Sequence, residues 1–262
     1  MATSRAASSP LAAYVLHRWD WSESSLIVDL FTRERGRLVV VAKGAKKPTS
    51  NFRAVLLPFC PLLALPGKAP ADEASEVHTL RSAEWAGGQP LLQPAQLFSG
   101  FYLNELLMKL LAREDAHPRL FDAYAWALAA LATGHDEAAV LRAFELLLLR
   151  ETGVLPDLGH DALAAAPLEG AATYRLQPQT GLVAARTGLA GRHWLRIEAA
   201  LSATDTATLL AACQDAGATL RGPLREVLQS HLGPAPLATR GVWQGVQKLV
   251  AHSAPHEPPD RR

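Results

Sequence analysis

Residues 13–43 read A-Y-V-L-H-R-W-D-W-S-E-S-S-L-I-V-D-L-F-T-R-E-R-G-R-L-V-V-V-A-K, and this stretch decides the fold. Three runs rich in aliphatic, β-branched and aromatic residues (13–18, 25–32 and 37–43) are separated by the polar turns D-W-S-E-S and R-G. Runs of that length bounded by such residues predict strands. Two more strand-like runs follow at 55–65 and 76–85, set off by turn residues at 43–51 and 66–74. No amphipathic helix period passes through this third of the chain. Five strands in about 85 residues is the size of a small closed barrel, the five-stranded OB-fold among them. Pro58 and Pro61 lie inside the fourth run. Proline donates no ladder hydrogen bond, so that run is expected to be an edge or bulged strand.

The period changes at G-G-Q-P, residues 87–90. Leu97, Phe98, Phe101, Tyr102, Leu106, Leu107, Leu110 and Leu111 then recur at three- and four-residue steps, the mark of an amphipathic helix. Further helices are expected near 119–132 and 136–151, the latter ended by Gly153. Short connections imply an antiparallel bundle. Residues 156–192 are rich in Ala, Gly and Pro and carry little period, so a small hairpin (174–176 with 181–184) or irregular insert is expected there. Helix signals return at 204–216, 220–231 and 239–252, and 253–262 read as a disordered tail. The fold class is therefore α+β, with a barrel over 1–86 and a helical domain over 87–252. No repeat of 20–50 residues is present.

Charge is distributed unevenly along the 262 residues. Residues 1–86 hold 11 Lys and Arg against 8 Asp and Glu, residues 87–170 hold 5 against 11, and residues 171–262 hold 10 against 6. An acidic middle thus separates two basic ends, and a polyanion is expected to meet the ends. Residues 33–53 carry seven cations (Arg33, Arg35, Arg37, Lys43, Lys46, Lys47 and Arg53) against one anion, Glu34. They flank the apolar run 38–42. A strand with basic turns at both ends suits a phosphate backbone, because each neutralised phosphate releases counterions. Should these cations scatter, the basic C-terminal third (Arg186, Arg192, Arg196, Arg221 and Arg225) is the second choice. Trp19 and Trp21, two residues apart and hence on one face of an extended segment, are possible stacking platforms, as is Phe52; Phe31 and Phe59 read as core.

Signs of catalysis are missing from the chain. There is no G-x-x-x-x-G-K-[ST], no G-x-G-x-x-G after a strand, no H-E-x-x-H and no G-x-S-x-G. His160-Asp161 is the one tight His/carboxylate neighbour, and adjacent loop residues usually point apart. Glu145 and Glu151 read as solvent-side charges. Cys60 and Cys213 stand alone, so neither a structural zinc site nor a disulfide framework is expected. No apolar stretch nears the roughly 20 residues of a membrane span. The polar N-terminus lacks the apolar core of a secretory signal and reads as a frayed leader, and without a disulfide framework the cytoplasm is the default compartment.

The run Y-V-L-H-R-W-D-W-S-E-S-S-L-I-V-D-L-F-T-R-E-R-G-R-L-V-V-V-A-K-G-A-K-K (14–47) resembles the N-terminus of the RecO family of bacterial recombination mediators. L-L-P-F (56–59), Y-L-N-E-L-L (102–107), F-E-L-L-L-L-R-E-T-G-V-L-P-D-L (144–158) and L-R-E-V-L-Q-S-H-L-G-P-A-P-L-A-T-R (224–240) continue the match in collinear order. The resemblance implies an OB-fold followed by a helical domain and a non-enzymatic role in RecF-pathway repair. It also implies binding to single- and double-stranded DNA, strand annealing, and association with RecR and with the single-stranded-DNA-binding protein through its C-terminal tail. Help in loading RecA, and a cytoplasmic, nucleoid-associated location, follow as well. The family's DNA-binding basic face maps onto Arg33, Arg35, Arg37, Lys43, Lys46, Lys47 and Arg53. The resemblance puts the partner-tail site in the helical domain without assigning its residues. Apart from it, a groove between the helices could accept a partner segment, with Arg113, Arg119, Arg142 and Arg150 either anchoring an acidic tail or bridging to neighbouring carboxylates. Many members carry a four-cysteine zinc motif after the stretch matching 154–158. Here that place reads G-H-D-A-L-A-A-A-P-L-E-G, so the chain resembles the zinc-free branch, no metal or cofactor is expected, and packing alone must stiffen the segment. A generic single-strand-binding OB-fold protein without annealing activity is the alternative.

Overall fold

The computed structural model describes residues 9–67, 77–233, 237–239 and 241–242. Strands β1 (Leu11–Asp20), β2 (Leu26–Thr32), β3 (Gly36–Ala42), β4 (Leu62–Pro66) and β5 (Val77–Trp85) close into a barrel in the order β1-β2-β3-β5-β4. β3 and β5 run parallel and the other pairs antiparallel, as in the expected OB-fold. Pro58 and Pro61 act more strongly than anticipated. Residues 56–61 form no strand, a single helical turn α1 (Phe52–Val55) precedes them, and β4 starts only after Pro61. Once started, β4 is no edge, since it pairs with both β1 and β5.

Alternate residues of β1 serve two cores. Ala13 and Val15 point into the barrel with Val28, Leu30, Leu38 and Val40. Tyr14 and Leu16, with Phe31 of β2, point outward into the helical core. Burial on both faces explains why A-Y-V-L shows no polar alternation. The helices α2 (Leu97–Leu110), α3 (Pro118–Ala132) and α4 (Glu137–Glu151) occupy the three periodic stretches. The Tyr14 ring lies 5.3 Å from that of Phe121 and 5.0 Å from that of Tyr124. Beside them Asn104 of α2, fully enclosed, donates to the Leu16 carbonyl at 2.9 Å and accepts from the Tyr124 hydroxyl at 2.6 Å.

A charged joint reinforces this apolar one. Arg37 of β3 is 8% exposed and Asp29 of β2 1%. The guanidinium donates to both Asp29 oxygens, from Nε at 3.3 Å and Nη2 at 2.6 Å. Its Nη1 donates to the carbonyls of Met108 and Leu111, the latter at 2.8 Å. Those carbonyls belong to the C-terminal turn of α2, which has no intrahelical donors left and carries partial negative charge. Arg37 therefore fastens that helix end to the barrel wall.

α4 is enclosed by its neighbours, so Glu145 is buried rather than solvent-facing. Its Oε1 accepts from the Tyr102 hydroxyl at 2.6 Å and pairs with Arg142, while Oε2 has no partner. Burial outweighs the attraction of Arg142 and pushes this carboxyl up to about 7.

The segment after α4 is more ordered than expected. β6 (His160–Asp161), β7 (Ala166–Pro167), β8 (Thr173–Gln177), β9 (Gly181–Ala184) and β10 (Leu189–Ala190) form a five-stranded sheet in the order β10-β8-β9-β6-β7. The anticipated hairpin is β8–β9; the other three strands have two residues each, too few to show a period. Packing is not the sole brace. The enclosed Asp161 carboxylate accepts from the amides of Leu163 (2.9 Å), Ala164 (3.1 Å) and Ala184 (3.2 Å), which holds it ionised below its usual range. His160 turns the other way, to Asp157 at 2.8 Å. An unanticipated helix, α5 (Gly191–Ala203), buries Trp194, Ile197, Ala200 and Leu201. α6 (Thr206–Ala216), capped by Asp205, and α7 (Arg221–Leu232) follow. Most of the expected helix at 239–252, and the tail 253–262, lie outside the described residues. Among the described residues no helix is long and apolar enough to cross a membrane.

Two stability outcomes follow from these buried charges. Arg37→Ala or Asp29→Ala, each leaving a buried partner unpaired, lowers the unfolding free energy in urea melts by about 3–5 kcal/mol. Arg37→Lys restores little of it, because one ammonium cannot replace a planar fork of donors. Glu145 has the opposite pH signature to most carboxylates. Its folded value lies above its unfolded one, so its favourable contribution is complete in acid and is lost as pH rises towards 7. The stability that Glu145 contributes is lost as pH rises from the ordinary carboxylate range to about 7, and Glu145→Gln flattens that part of the pH dependence in urea melts.

Candidate nucleic-acid interface

The seven cations of residues 33–53 do not form one track. They gather at the two ends of β3, whose seven residues hold the groups about 20 Å apart.

The inner end faces the helices. Arg33 grips Asp122 of α3 with Nε and Nη2, both at 2.9 Å. Arg35 reaches Glu114 at 3.0 Å, and His78 of β5 meets the other oxygen of that carboxylate at 2.8 Å. The hydrogen bond from His78, with the neighbouring Arg35, keeps the Glu114 carboxyl below its ordinary value. The turn between β2 and β3 is pressed so closely onto the α2–α3 connection that a Cβ on Gly36 would fall 1.8 Å from the Asp115 carbonyl oxygen. Gly36 also adopts φ +65°, a conformation that glycine takes at little cost. With Arg37 enclosed, all three arginines of R-E-R-G-R are engaged with the rest of the fold.

The outer end is different. The β1–β2 hairpin tip and the loop after β3 lie side by side, because Asp20 pairs with Leu26 and Leu26 with Ala42. The Lys46 amide donates to the Ser24 carbonyl at 2.9 Å and ties the two together, while Ala45 plugs the barrel core. Lys46 Nζ lies 3.4 Å from an Asp20 oxygen. Lys43, Lys47 and, on α1, Arg53 are exposed and make no ion pair among the described residues. Arg18 donates to the Leu56 carbonyl at 2.8 Å, bracing the end of α1 against β1. Two tryptophans stand beside these cations, Trp19 at 40% exposure and Trp21 at 65%. Phe52, by contrast, packs partly buried against the barrel core, and Phe31 and Phe59 are core residues.

The remaining cations offer no comparable cluster. Arg186 lies between β9 and β10, Arg192 and Arg196 on α5, and Arg221 and Arg225 on α7. Arg196 is paired with Asp215, and no exposed aromatic ring accompanies them among the described residues. In the acidic middle, Arg142 and Arg150 are paired with Glu145 and Glu198. Among the described residues no group of three or more His, Cys, Asp or Glu is placed to hold a metal, and Cys60 and Cys213 are separate free thiols. Chemically, the outer end can hold phosphates through three uncommitted cations and offer two ring faces to apolar planar groups.

Comparison with known proteins covers nearly all of the described residues. A family model described as Recombination protein O N terminal matches residues 9–88, and one described as Recombination protein O C terminal matches residues 92–240. The DNA repair protein RecO of Acidovorax ebreus (strain TPSY) is 49% identical over 265 residues, covering 95% of this chain and 100% of that protein. That of Variovorax paradoxus (strain S110) is 49% identical over 252 residues, 90% and 96% of the two chains. That of Verminephrobacter eiseniae (strain EF01-2) is 47% identical over 256 residues, 95% and 99%.

The division between the two ends of β3 has a measurable counterpart in stability. The Arg33 and Arg35 pairs are half exposed and solvent-screened, so replacing either arginine by alanine leaves the urea midpoint close to that of wild type. Gly36→Ala costs more than about 1 kcal/mol in the same urea titration, through left-handed strain and the closed space above Asp115.

Proposed function

The chain belongs to the RecO family of DNA repair proteins, and on that premise we propose that it is a non-catalytic recombination mediator whose outer barrel end binds DNA. One observation carries this reading: Lys43, Lys47 and Arg53 stand exposed without ion-pair partners among the described residues, and the loop carrying the lysines is tied to the hairpin tip that presents two exposed tryptophans. A cation already matched to a carboxylate must break that pair to meet a phosphate, whereas an unmatched one releases counterions at no such cost. The DNA-contacting set is therefore Lys43, Lys46, Lys47 and Arg53, with Arg33 and Arg35 peripheral and Arg37 structural.

The activity we assign is annealing. Two complementary strands repel each other along their length, and a cationic surface that engages backbone phosphates lowers that repulsion while leaving base edges to pair. The acidic part of the helical domain, residues 87–170, turns polyanions away and is left to protein partners: RecR, and the tail of the single-stranded-DNA-binding protein, whose coated strand the chain opens to RecA. Such a role places the protein in the cytoplasm at the nucleoid and asks for no bond-making chemistry and no cofactor.

The triple variant Lys43→Ala, Lys47→Ala, Arg53→Ala tests the site. Its log K against log[salt] plot for DNA is shallower by about one unit per lost phosphate contact, and its annealing of complementary oligonucleotides slows in proportion. An unchanged slope removes the outer end from the interface. Wild-type binding that hinders pairing favours the simple single-strand-binding alternative.

A further inference from the structure

The outer end holds two large rings that the phosphate-binding reading does not use. Trp21 opens the W-S-E-S-S hairpin tip and Trp19 lies on the outer side of β1 two residues before it. Burying an indole is strongly favourable, and tryptophan is highly buried on average. Trp126 and Trp194 of this chain obey that preference, half-buried and fully enclosed. Trp85 at the end of β5 forgoes it, and so do Trp19 and Trp21, which stand at the hairpin tip that the Lys46 amide ties to the loop carrying Lys43, Lys46 and Lys47.

The segment presenting them is braced. The Trp21 amide donates to the Ser25 carbonyl at 3.3 Å, the Ser25 amide to Ser22 Oγ at 3.2 Å, and the neighbouring loop is tied on through Lys46 and Ser24. Trp19 is further steadied by the His17 ring, edge-on at 4.5 Å, which leaves indole surface open. Two rings held on a fixed backbone beside a lysine-bearing loop match a planar aromatic ligand carrying negative charge on its linker.

Resting on the proposed DNA-binding role, we propose that Trp19 and Trp21 are base-stacking platforms and that the outer barrel end is selective for unpaired strands. In a duplex each base face is covered by its neighbours at 3.4 Å spacing, so a protein ring finds no face to stack on. An unpaired strand can part its bases. Trp21 follows β1 directly, two residues beyond Trp19, an extended-chain spacing of about 6.6 Å between their backbones, room for successive bases to be drawn out of mutual stacking and onto indole. The division of labour is definite: cations hold any strand, duplex or single, while the tryptophans add affinity only for the single one. The same arrangement suits annealing, since a strand held through base faces keeps its pairing edges turned outward.

The test uses the full chain with two fluorescein-labelled probes, a 20-nucleotide oligothymidylate and a blunt 20-base-pair duplex, titrated by anisotropy at several salt concentrations. Trp21→Ala weakens oligothymidylate binding about 10- to 100-fold, with the salt slope unchanged and duplex affinity held within about twofold. Trp21→Phe keeps most of the affinity. Emission from the chain's six tryptophans is quenched by oligothymidylate, and Trp19→Ala with Trp21→Ala abolishes most of that quenching. Trp21 is mostly exposed, so the melting temperatures of Trp21→Ala and Trp21→Phe match wild type, while that of Trp19→Ala, which loses the His17 contact, is modestly lower. Equal losses on both probes, or no loss on the single strand, overturn the stacking assignment; in the second case the rings serve a protein contact. The alanine triple at Lys43, Lys47 and Arg53 separates the two levels. If it weakens both probes while the tryptophan variants do not, stacking alone is wrong. If it too is silent, the outer end is not the DNA site.

Discussion

Arg37 fixes the relation between the two halves of this molecule. Its guanidinium spans Asp29 on the barrel and the last carbonyls of α2, so one side chain satisfies a buried carboxylate and a helix terminus that lacks donors. Neither obligation is met by another group in the same place. The planar fork matters as much as the charge, for it presents donors in several directions from a single enclosed position. Around this joint the Tyr14, Phe31, Phe121 and Tyr124 rings supply the apolar burial. Outside it, Arg33 and Arg35 add pairs to Asp122 and Glu114 that are too exposed to contribute much on their own.

That joint settles which charges remain for a partner. Closing the inner end of β3 against the helices engages the arginines of R-E-R-G-R internally. The lysine-rich loop at the other end meets the β1–β2 tip, where Lys46 pairs with Asp20 while Lys43 and Lys47 make no ion pair among the described residues. The barrel is therefore electrically polarised by its own packing: salt-bridged where it meets the acidic helices, uncompensated where it faces solvent. A polyanion reaches the second region without displacing anything.

Elsewhere the fold shows the same conversion of modest sequence features into specific supports. The connection after α4 has no cysteines to bind a metal. Asp161 instead gathers three backbone amides and holds a sheet most of whose strands are two residues long. Glu145 illustrates the cost of enclosure. Its helix is surrounded, and a carboxylate that would be ordinary on a surface is driven towards its neutral form.

Much of the architecture was legible along the chain. Five apolar runs with turn chemistry between them predicted the barrel, and three- and four-residue recurrence predicted α2, α3 and α4, because strand and helix periods are local properties of the backbone. The short strands of the second sheet were not legible, since two residues carry no period. α5 was overlooked although Trp194, Ile197 and Leu201 keep helical spacing, because the Gly- and Ala-rich sequence before it masks its start. Residues 33–53 were recognisable as basic from composition alone, and the two tryptophans as neighbours of that charge. What only tertiary structure decided was the fate of each cation. The partners of Arg33 and Arg35 lie 89 and 79 residues away, so no local pattern could announce that these side chains are engaged. Charge is written in the sequence, but its neutralisation depends on which distant groups the folded chain brings within about 4 Å.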